Sequence, residues 1–115
     1  MRFLLLCCID EKRWEALPAS QRDQIMRDYG GLLQSLDASG QHLASAQLKP
    51  VATAATVRAK NGTPTVTDGP FAETKEQLGG YHLIECKDLE EAISIAQRIP
   101  TIPIGGAVEV RALQA

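Results

Sequence analysis

In two segments of this 115-residue chain, apolar side chains would lie on both faces of a β-strand. In the segment Arg2–Ile9 one set is Phe3, Leu5 and Cys7, and the other is Leu4, Leu6 and Cys8. In residues 80–86, Tyr81, Leu83 and Glu85 alternate with His82, Ile84 and Cys86. Because alternate side chains point to opposite faces of a sheet, both faces beside the first strand, and at least part of both faces beside the second, should be covered.

Two segments are predicted to be helical. The first opens with Ser20 and Asp23, which resemble a capping box, and ends at Gly40. Its apolar residues recur at helical spacing: Ile25, Met26, Tyr29, Leu32, Leu33 and Leu36. The second helix opens at Asp88, and Pro100 stops it.

Four further strands complete the pattern. They are predicted at residues 42–47, in a hairpin over residues 52–67, and at residues 107–113. Asn61-Gly62 is a tight-turn signal in the hairpin. The order β-α-β-β-β-β-α-β predicts a single domain over residues 1–115, an α+β ferredoxin-like antiparallel sheet with two helices on one face and an extra hairpin.

This architecture predicts a homodimer. Two helices cover only one face of the sheet, whereas strands one and five are apolar on both faces. A second copy of the chain is the simplest partner for the remaining face, so we expect a dimer joined through the sheets.

Composition narrows the classes of function. The net charge of −2 arises from scattered charges, which argues against nucleic-acid binding. No apolar run is long enough to cross a membrane. The apolar start of the chain meets Asp10 and Glu11 instead of a cleavage site, so we interpret it as a strand and not as a signal peptide. The three cysteines fit neither a disulfide framework nor a zinc site and indicate buried, reduced thiols in a cytoplasmic protein.

The adjacent Gly30 and Gly31 are unusual inside a helix. Each costs the helix about 1 kcal/mol relative to alanine. Such a pair indicates the close approach of another backbone or of a ligand.

A second unusual feature is the corner that begins at Asp68. An aspartate in a turn usually accepts a hydrogen bond from the N–H two residues later, but that residue is Pro70, which has no N–H. Gly69 and Pro70 stiffen the bend, and Phe71 is expected to anchor it in an apolar contact. A carboxylate held in this way is suited to proton transfer, although turn and cap residues are also what any fixed corner requires. Thr74 and Gln77 predict a single helical turn after it.

Two other side chains are candidates for proton transfer or hydrogen bonding. Tyr29 lies on the apolar stripe of the first helix, where a core role is the alternative. His82 lies on a strand and has a side chain suited to proton transfer near neutral pH, with a purely structural role as the alternative.

The residues TDGPFAETKEQLGGYHLIE resemble the signature of DGPF proteins within the YCII-related family. The resemblance extends to the YGGLLQSLDASG, AATVRAKNG and IPIGGAVEVRAL segments. It implies a dimeric α/β-barrel fold and a small bacterial protein, often encoded beside extracytoplasmic-function sigma factors. The His–Asp pair suggested for the wider family falls at Tyr29 and near Ile99 here, so that pair is not carried over.

Two functions follow as hypotheses. The first is a small-molecule enzyme, without metal or cofactor, in which Asp68 is the general acid or base assisted by Tyr29 and His82, with Gly69, Pro70 and Phe71 binding the ligand. The second is a noncatalytic ligand-binding or stress-regulatory dimer. A purely structural dimer is a third possibility that gives Asp68 no role.

Overall fold

The computed structural model describes residues 1–114. Its strands and helices, in chain order, are β1 Arg2–Ile9, α1 Glu11–Ala16, α2 Ala19–Ala38, β2 His42–Gln47, β3 Ala55–Lys60, β4 Thr63–Asp68, β5 Gln77–Glu85, α3 Leu89–Ala96 and β6 Ala107–Ala112. No helix in this part of the chain is long and apolar enough to cross a membrane.

Four strands form one antiparallel sheet in the order β2-β5-β1-β6, and β3 and β4 form a separate hairpin. This is the ferredoxin-like α+β arrangement predicted from the element order, and the prediction is confirmed. The register places Leu5 opposite both His82 on β5 and Val110 on β6. A register shift between Cys7 and Cys8 marks an irregularity near the end of β1.

The core lies between the sheet and helices α2 and α3. Phe3 and Leu5 from β1 and Ile84 from β5 pack with Leu36 of α2 and with Ile99, which follows α3. All five side chains are almost completely buried. Strand alternation turns Leu4 and Leu6 to the opposite face, where they are only partly buried. The dimer expected to cover that face stays a prediction.

The helix ends differ in part from the sequence prediction. Pro18, and not Ser20, is the N-cap of α2, and no side chain caps that end. The cap of α3 is confirmed, because the Glu91 N–H donates to Asp88 Oδ1 at 2.9 Å. Glu91 in turn accepts from the Lys87 N–H at 3.1 Å.

Helix α1 was not predicted. Its N-cap is Asp10, whose Oδ1 accepts a hydrogen bond from the Lys12 N–H at 3.0 Å. The sequence signal was present, since aspartate is a preferred N-cap residue, but the helix has only six residues and no apolar stripe long enough to detect.

Within this chain, the close approach of another backbone at Gly30 and Gly31 was a wrong prediction. A Cβ added to either glycine would meet no atom within 4 Å, so neither another backbone nor packed side chains of the chain approach this pair. The approach of a ligand stays a prediction. Both positions are exposed on the outer face of α2.

The hairpin is confirmed with a later start. A short 3-10 turn occupies Val51–Thr53, and pairing begins at Ala55 instead of residue 52. At the turn, Asn61 and Gly62 have φ values of 51° and 80°, as a two-residue hairpin loop with positive φ at both positions requires.

The helical turn predicted at Thr74 and Gln77 is wrong. Strand β5 begins at Gln77, which pairs with Ile9 of β1. Thr74 and Gln77 make other local hydrogen bonds instead. Thr74 Oγ1 donates to the Glu76 carbonyl, and Gln77 Nε2 donates to the Thr74 carbonyl, both at 2.6 Å.

Candidate functional site

A cavity of about 430 Å³ opens between the sheet and helices α1 and α2. Strands β1, β2 and β5 and the segments beside them line one side of it, and the two helices line the other. The lining residues are Cys7, Cys8, Ile9, Glu11, Trp14, Met26, Tyr29, Leu33, Ser45, Ala46, Gln47, Leu48, Pro50, Gly79, Gly80, His82 and Thr101. Most of this lining is apolar, so the few polar groups decide what it can bind.

Tyr29 and His82 meet in this cavity. Tyr29 comes from α2 and His82 from β5, and their rings stack with centroids 5.8 Å apart and planes inclined by 26°. The Tyr29 hydroxyl lies 3.4 Å from Thr101 Oγ1, in the loop before β6. Two of the three predicted catalytic side chains therefore lie together.

His82 carries an unsatisfied polar atom. The residue is 8% exposed, and its Nδ1 has no hydrogen-bond partner among residues 1–114. Burial lowers its pKa below the ordinary value, and the nearby His42 lowers that pKa further. The imidazole is therefore neutral at pH 7, and a neutral imidazole has one nitrogen that accepts a proton or a hydrogen bond.

Tyr29 and the two nearby cysteines are held protonated. Burial raises the pKa of Tyr29, as does the proximity of Cys7, while the Thr101 hydroxyl opposes the shift. Burial likewise raises the pKa of the Cys7 thiol to about 11. The pKa of Cys8 is raised by burial and then by Glu76 and Glu109. At neutral pH Tyr29 is therefore a hydrogen-bond donor, and neither thiol is an activated nucleophile.

Gly80 shapes the floor of the cavity. A Cβ at this position would lie 2.9 Å from the backbone oxygen of Ala46 on β2, closer than real Cβ atoms approach. Glycine is required here because two strands approach closely. This is the kind of contact that sequence reasoning assigned to Gly30 and Gly31.

Glu11, which lines the cavity, is hydrogen-bonded to two neighbouring segments. Its backbone N–H donates to Gln77 Oε1 at 3.0 Å, and its own Oε1 accepts from the Val51 N–H at 2.9 Å. Sequence reasoning missed Glu11 and Trp14, because it did not detect α1. It also treated Cys7 as plain core and did not consider Thr101.

Asp68 does not line this cavity. It is the last residue of β4, pairs with Ala55, and is exposed. Within residues 1–114 its carboxylate accepts no hydrogen bond, in line with the missing N–H of Pro70. Gly69 has φ of 98° and donates its N–H to the Ala54 carbonyl at 2.7 Å, so the stiff bend is present.

The other two residues of the corner are separated from Tyr29 and His82 as well. Pro70 lines a second, smaller hollow of about 310 Å³ together with Val51, Glu73 and Gln77. Phe71 is 77% exposed, so the apolar anchor expected for it was wrong within a single chain. In residues 1–114 no group of three or more His, Cys, Asp or Glu side chains is placed to hold a metal ion.

Three comparisons relate this chain to known proteins. The model of the YCII-related domain matches residues 1–114. "Uncharacterized protein R00369" of Rhizobium meliloti (strain 1021) is 39% identical over 114 residues, covering 98% of this chain and 92% of the relative. The structure of 5-chloro-2-hydroxyhydroquinone dehydrochlorinase (TftG) from Burkholderia phenoliruptrix AC1100, in complex with 2,5-dihydroxybenzoquinone, aligns with a TM-score of 0.49 and 17% identity over 99% of this chain and 94% of that one. The match along nearly the whole sequence shows that this chain belongs to the YCII-related domain family.

Proposed function

We propose that this protein is a small-molecule enzyme that transfers a proton to or from an organic compound bound in the cavity beside Tyr29 and His82. The observation that carries the proposal is the unpartnered Nδ1 of the buried His82. A buried polar atom without a partner costs about 1–3 kcal/mol. Nδ1 itself is enclosed, so a bound ligand would donate to it only after a shift of the neighbouring side chains, and it would then remove that cost.

His82 would act as the general base. Its lowered pKa keeps it neutral and able to accept a proton at neutral pH. An O–H or an activated C–H of the ligand is a suitable source of that proton. The stacked ring of Tyr29 restricts the orientation of the imidazole, as a positioned base requires.

Tyr29 would act as a hydrogen-bond donor to the ligand. Its raised pKa keeps the hydroxyl protonated, and its contact with Thr101 is long enough, at 3.4 Å, to be exchanged for a better acceptor. A carbonyl or hydroxyl oxygen that gains negative charge during the reaction is the partner this donor favours.

The lining disfavours an anionic ligand. Among the lining residues that the structure describes, Glu11 is the one carboxylate, and none is a lysine or an arginine. A carboxylate or phosphate placed there would lose its hydration without gaining a cation, which is unfavourable. A cavity of about 430 Å³ suits a compound no larger than an ordinary drug-like molecule.

The acid–base role predicted for Asp68 is a separate proposal. Its support is the stiff bend at Gly69 and Pro70. A second support is that the Asp68 carboxylate accepts no hydrogen bond within residues 1–114. Because Asp68 lies outside the cavity of its own chain, the reaction proposed for Tyr29 and His82 does not depend on it.

A noncatalytic ligand-binding protein is the alternative. Its support is that Tyr29, Cys7 and Cys8 all have raised pKa values that leave them protonated at neutral pH, so these three groups can bind a ligand but cannot accept a proton from it. A hydrogen-bonding cavity of this kind could bind a molecule without converting it.

The test is a screen of small neutral hydroxy- and carbonyl compounds against the wild type and His82→Gln. Binding is measured by thermal shift and turnover by mass spectrometry. We expect hits to stabilise the wild type and to lose at least tenfold in affinity with His82→Gln. The control is Gln34→Ala, because Gln34 is exposed on α2 and does not line the cavity.

Each outcome separates the two functions or removes both. Turnover that disappears with His82→Gln supports the enzyme, and binding without turnover supports the alternative. Hits that bind His82→Gln as tightly as the wild type would contradict both functions at this site.

Two further inferences concern the family branch and the location. We infer that the chain belongs to the DGPF branch, because Asp68, Gly69, Pro70 and Phe71 form that motif. We also propose a cytoplasmic location. Its support is that Cys7, Cys8 and Cys86 are free thiols, which a reducing compartment preserves.

A further inference from the structure

Asp37, His42 and Ser45 form a continuous chain of hydrogen bonds. Asp37 lies in the last turn of α2, and His42 and Ser45 lie on β2. Asp37 Oδ1 is 2.6 Å from His42 Nδ1, and His42 Nε2 is 2.9 Å from Ser45 Oγ. A carboxylate, an imidazole and a hydroxyl joined in this order form the arrangement that activates a serine in hydrolases of several unrelated folds.

The two hydrogen bonds indicate which nitrogen of His42 carries the hydrogen. A carboxylate only accepts hydrogen bonds, so we assign the hydrogen to Nδ1, which faces Asp37. In the neutral imidazole Nε2 is then the acceptor, and the hydroxyl of Ser45 donates to it. His42 Nε2 is therefore placed to take the proton of Ser45, as a general base must.

An irregularity in β2 brings His42 and Ser45 to one face of the sheet. Residues three apart on a regular strand point to opposite faces. Between His42 and Ala44, β2 advances by two residues while β5 advances by one. The extra residue, Leu43, turns His42 to the side of Ser45, and bulges re-aim side chains beside active sites in this way. The shared side is the one that faces α2, because Asp37 contacts His42 there.

Of the three residues, Ser45 is the one that reaches the cavity. Ser45 is part of the lining, whereas His42 and Asp37 lie outside it. Ser45 pairs with His82 of β5, and Gly80 follows His82 on the same face, two positions away. Since Gly80 has no side chain to fill the space beside Ser45, a bound molecule can approach the hydroxyl.

We propose that Ser45 is a catalytic nucleophile and that the protein hydrolyses small uncharged carboxylic esters in the cavity. His42 is the general base, and Asp37 is a positioning residue that holds the imidazole in the required tautomer. The substrate class follows from the lining, which is mostly apolar and has no lysine or arginine among the described residues. The volume of about 430 Å³ limits the size of the ester.

The reaction has two balanced steps, with water as the second reactant. In the first step Ser45 Oγ bonds to the acyl carbon while its proton passes to His42 Nε2. The bond from the acyl carbon to the alkoxy oxygen then breaks, and that oxygen takes the proton from Nε2 and leaves as an alcohol. In the second step water bonds to the acyl carbon and gives a proton to Nε2. The bond to Ser45 Oγ breaks, Oγ takes back that proton, and the carboxylic acid leaves.

Both steps place negative charge on the carbonyl oxygen of the ester. Gln47 lies two residues after Ser45 on the same face of β2 and lines the cavity, so its side-chain amide can donate to that oxygen. The Tyr29 hydroxyl is a second donor, because its raised pKa keeps it protonated. Glutamine and tyrosine side chains both serve as donors of this kind.

The first test measures ester hydrolysis with p-nitrophenyl acetate, a small uncharged ester that releases coloured p-nitrophenol. We expect Ser45→Ala to lower kcat/KM by about a hundredfold or more. The matched control is Ser94→Ala, because Ser94 is exposed on α3, donates to the Glu91 carbonyl and does not line the cavity. This control should leave kcat/KM unchanged.

The second test labels the nucleophile with diisopropyl fluorophosphate. Ser45 Oγ would displace fluoride from phosphorus while its proton passes to His42, so peptide mass spectrometry should find the label on Ser45. His42→Gln should slow the labelling by about a hundredfold or more. Labelling is measured on the wild type first, so it decides the question even where a variant does not fold.

The role of Asp37 is tested through kcat and KM separately. In Asp37→Asn the amide nitrogen can donate to His42 Nδ1, which places the hydrogen on Nε2, where it blocks transfer from Ser45. We expect kcat to fall by about tenfold or more with KM unchanged, and Asp37→Glu to restore part of it. The loss is smaller than for a buried carboxylate because the Asp37 side chain is 62% exposed. An unchanged kcat would show that Asp37 has only a structural role.

Two results would overturn the proposal. One is equal release of p-nitrophenol by the wild type and Ser45→Ala, which would mean that another group reacts with the ester directly. The other is a wild-type protein that carries no label on Ser45. Either result leaves the proton transfer proposed for His82 standing, because that proposal is tested by the binding and turnover lost in His82→Gln.

Discussion

The ring of Tyr29 on α2 stacks on the imidazole of His82 on β5, with centroids 5.8 Å apart, at the wall of the main cavity. The pair connects α2 to the sheet at the boundary between the core and the cavity. Both rings are held by packing, while the Nδ1 atom of His82 has no hydrogen-bond partner among residues 1–114.

Replacing Tyr29 by phenylalanine should separate binding from stability. The ring and its stacking on His82 are kept, and only the hydroxyl that faces Thr101 at 3.4 Å is lost. We expect the free energy of unfolding to change by less than about 1 kcal/mol. Affinity for ligands with an acceptor oxygen should fall about tenfold or more, measured by calorimetry. Equal affinity in both proteins would show that the hydroxyl does not contact the ligand.

Stability should fall as the pH drops below the ordinary histidine range. Burial lowers the pKa of His82 in the folded protein, whereas the unfolded chain keeps the ordinary value of 6.5. Below pH 6.5 the unfolded state therefore binds a proton that the folded state does not. That difference destabilises the fold by at most about 1.4 kcal/mol per pH unit until His82 also becomes protonated. Above pH 6.5 this contribution is constant.

The measurement is urea denaturation of the wild type and of His82→Gln between about pH 7.5 and about pH 5, a range that spans the ordinary histidine pKa. The variant should show a shallower loss of stability over this range. Parallel curves would mean that His82 titrates normally in the fold.

Two glycine substitutions should have opposite effects. Gly31→Ala, in an open position on α2, should stabilise the protein by about 0.5–1 kcal/mol. Gly80→Ala should destabilise it by about 1–3 kcal/mol, because the new Cβ would lie 2.9 Å from the Ala46 backbone oxygen. Thermal and urea unfolding of the two variants give the comparison. A Gly80→Ala protein as stable as the wild type would show that β2 moves away without cost.

Asp68→Asn should leave the fold intact. The side chain is exposed and its carboxylate is not part of the described hydrogen-bond network, so we expect a stability change within about 0.5 kcal/mol. Ligand affinity in the cavity should also stay as in the wild type. If turnover is found, single-turnover kinetics show whether Asp68 participates: a loss of about a hundredfold or more would support its acid–base role.

Sequence reasoning predicted the ferredoxin-like order, the hairpin turn and the cap of α3, because periodicity, positive-φ residues and cap chemistry act locally. It failed where pairing with distant residues overrides a local signal. Gln77 has the spacing of a cap residue after Thr74, but it pairs with Ile9 in the sheet.

The candidate site was predictable only in part. Tyr29 and His82 were identified one by one from their side chains, but their contact depends on how α2 packs against β5. Asp68 is exposed because it lies at the end of the β3–β4 hairpin, which is separate from the main sheet. The close contact at Gly80 depends on the register between β2 and β5, and no nearby residue indicates it.

The two hydrogen bonds of Glu11 have a mechanical consequence. This one residue connects the start of α1 to Val51, which precedes the β3–β4 hairpin, and to Gln77, which follows it. A displacement of α1 away from the sheet would therefore have to break or lengthen both hydrogen bonds, so this residue ties the position of α1 to both ends of the hairpin segment.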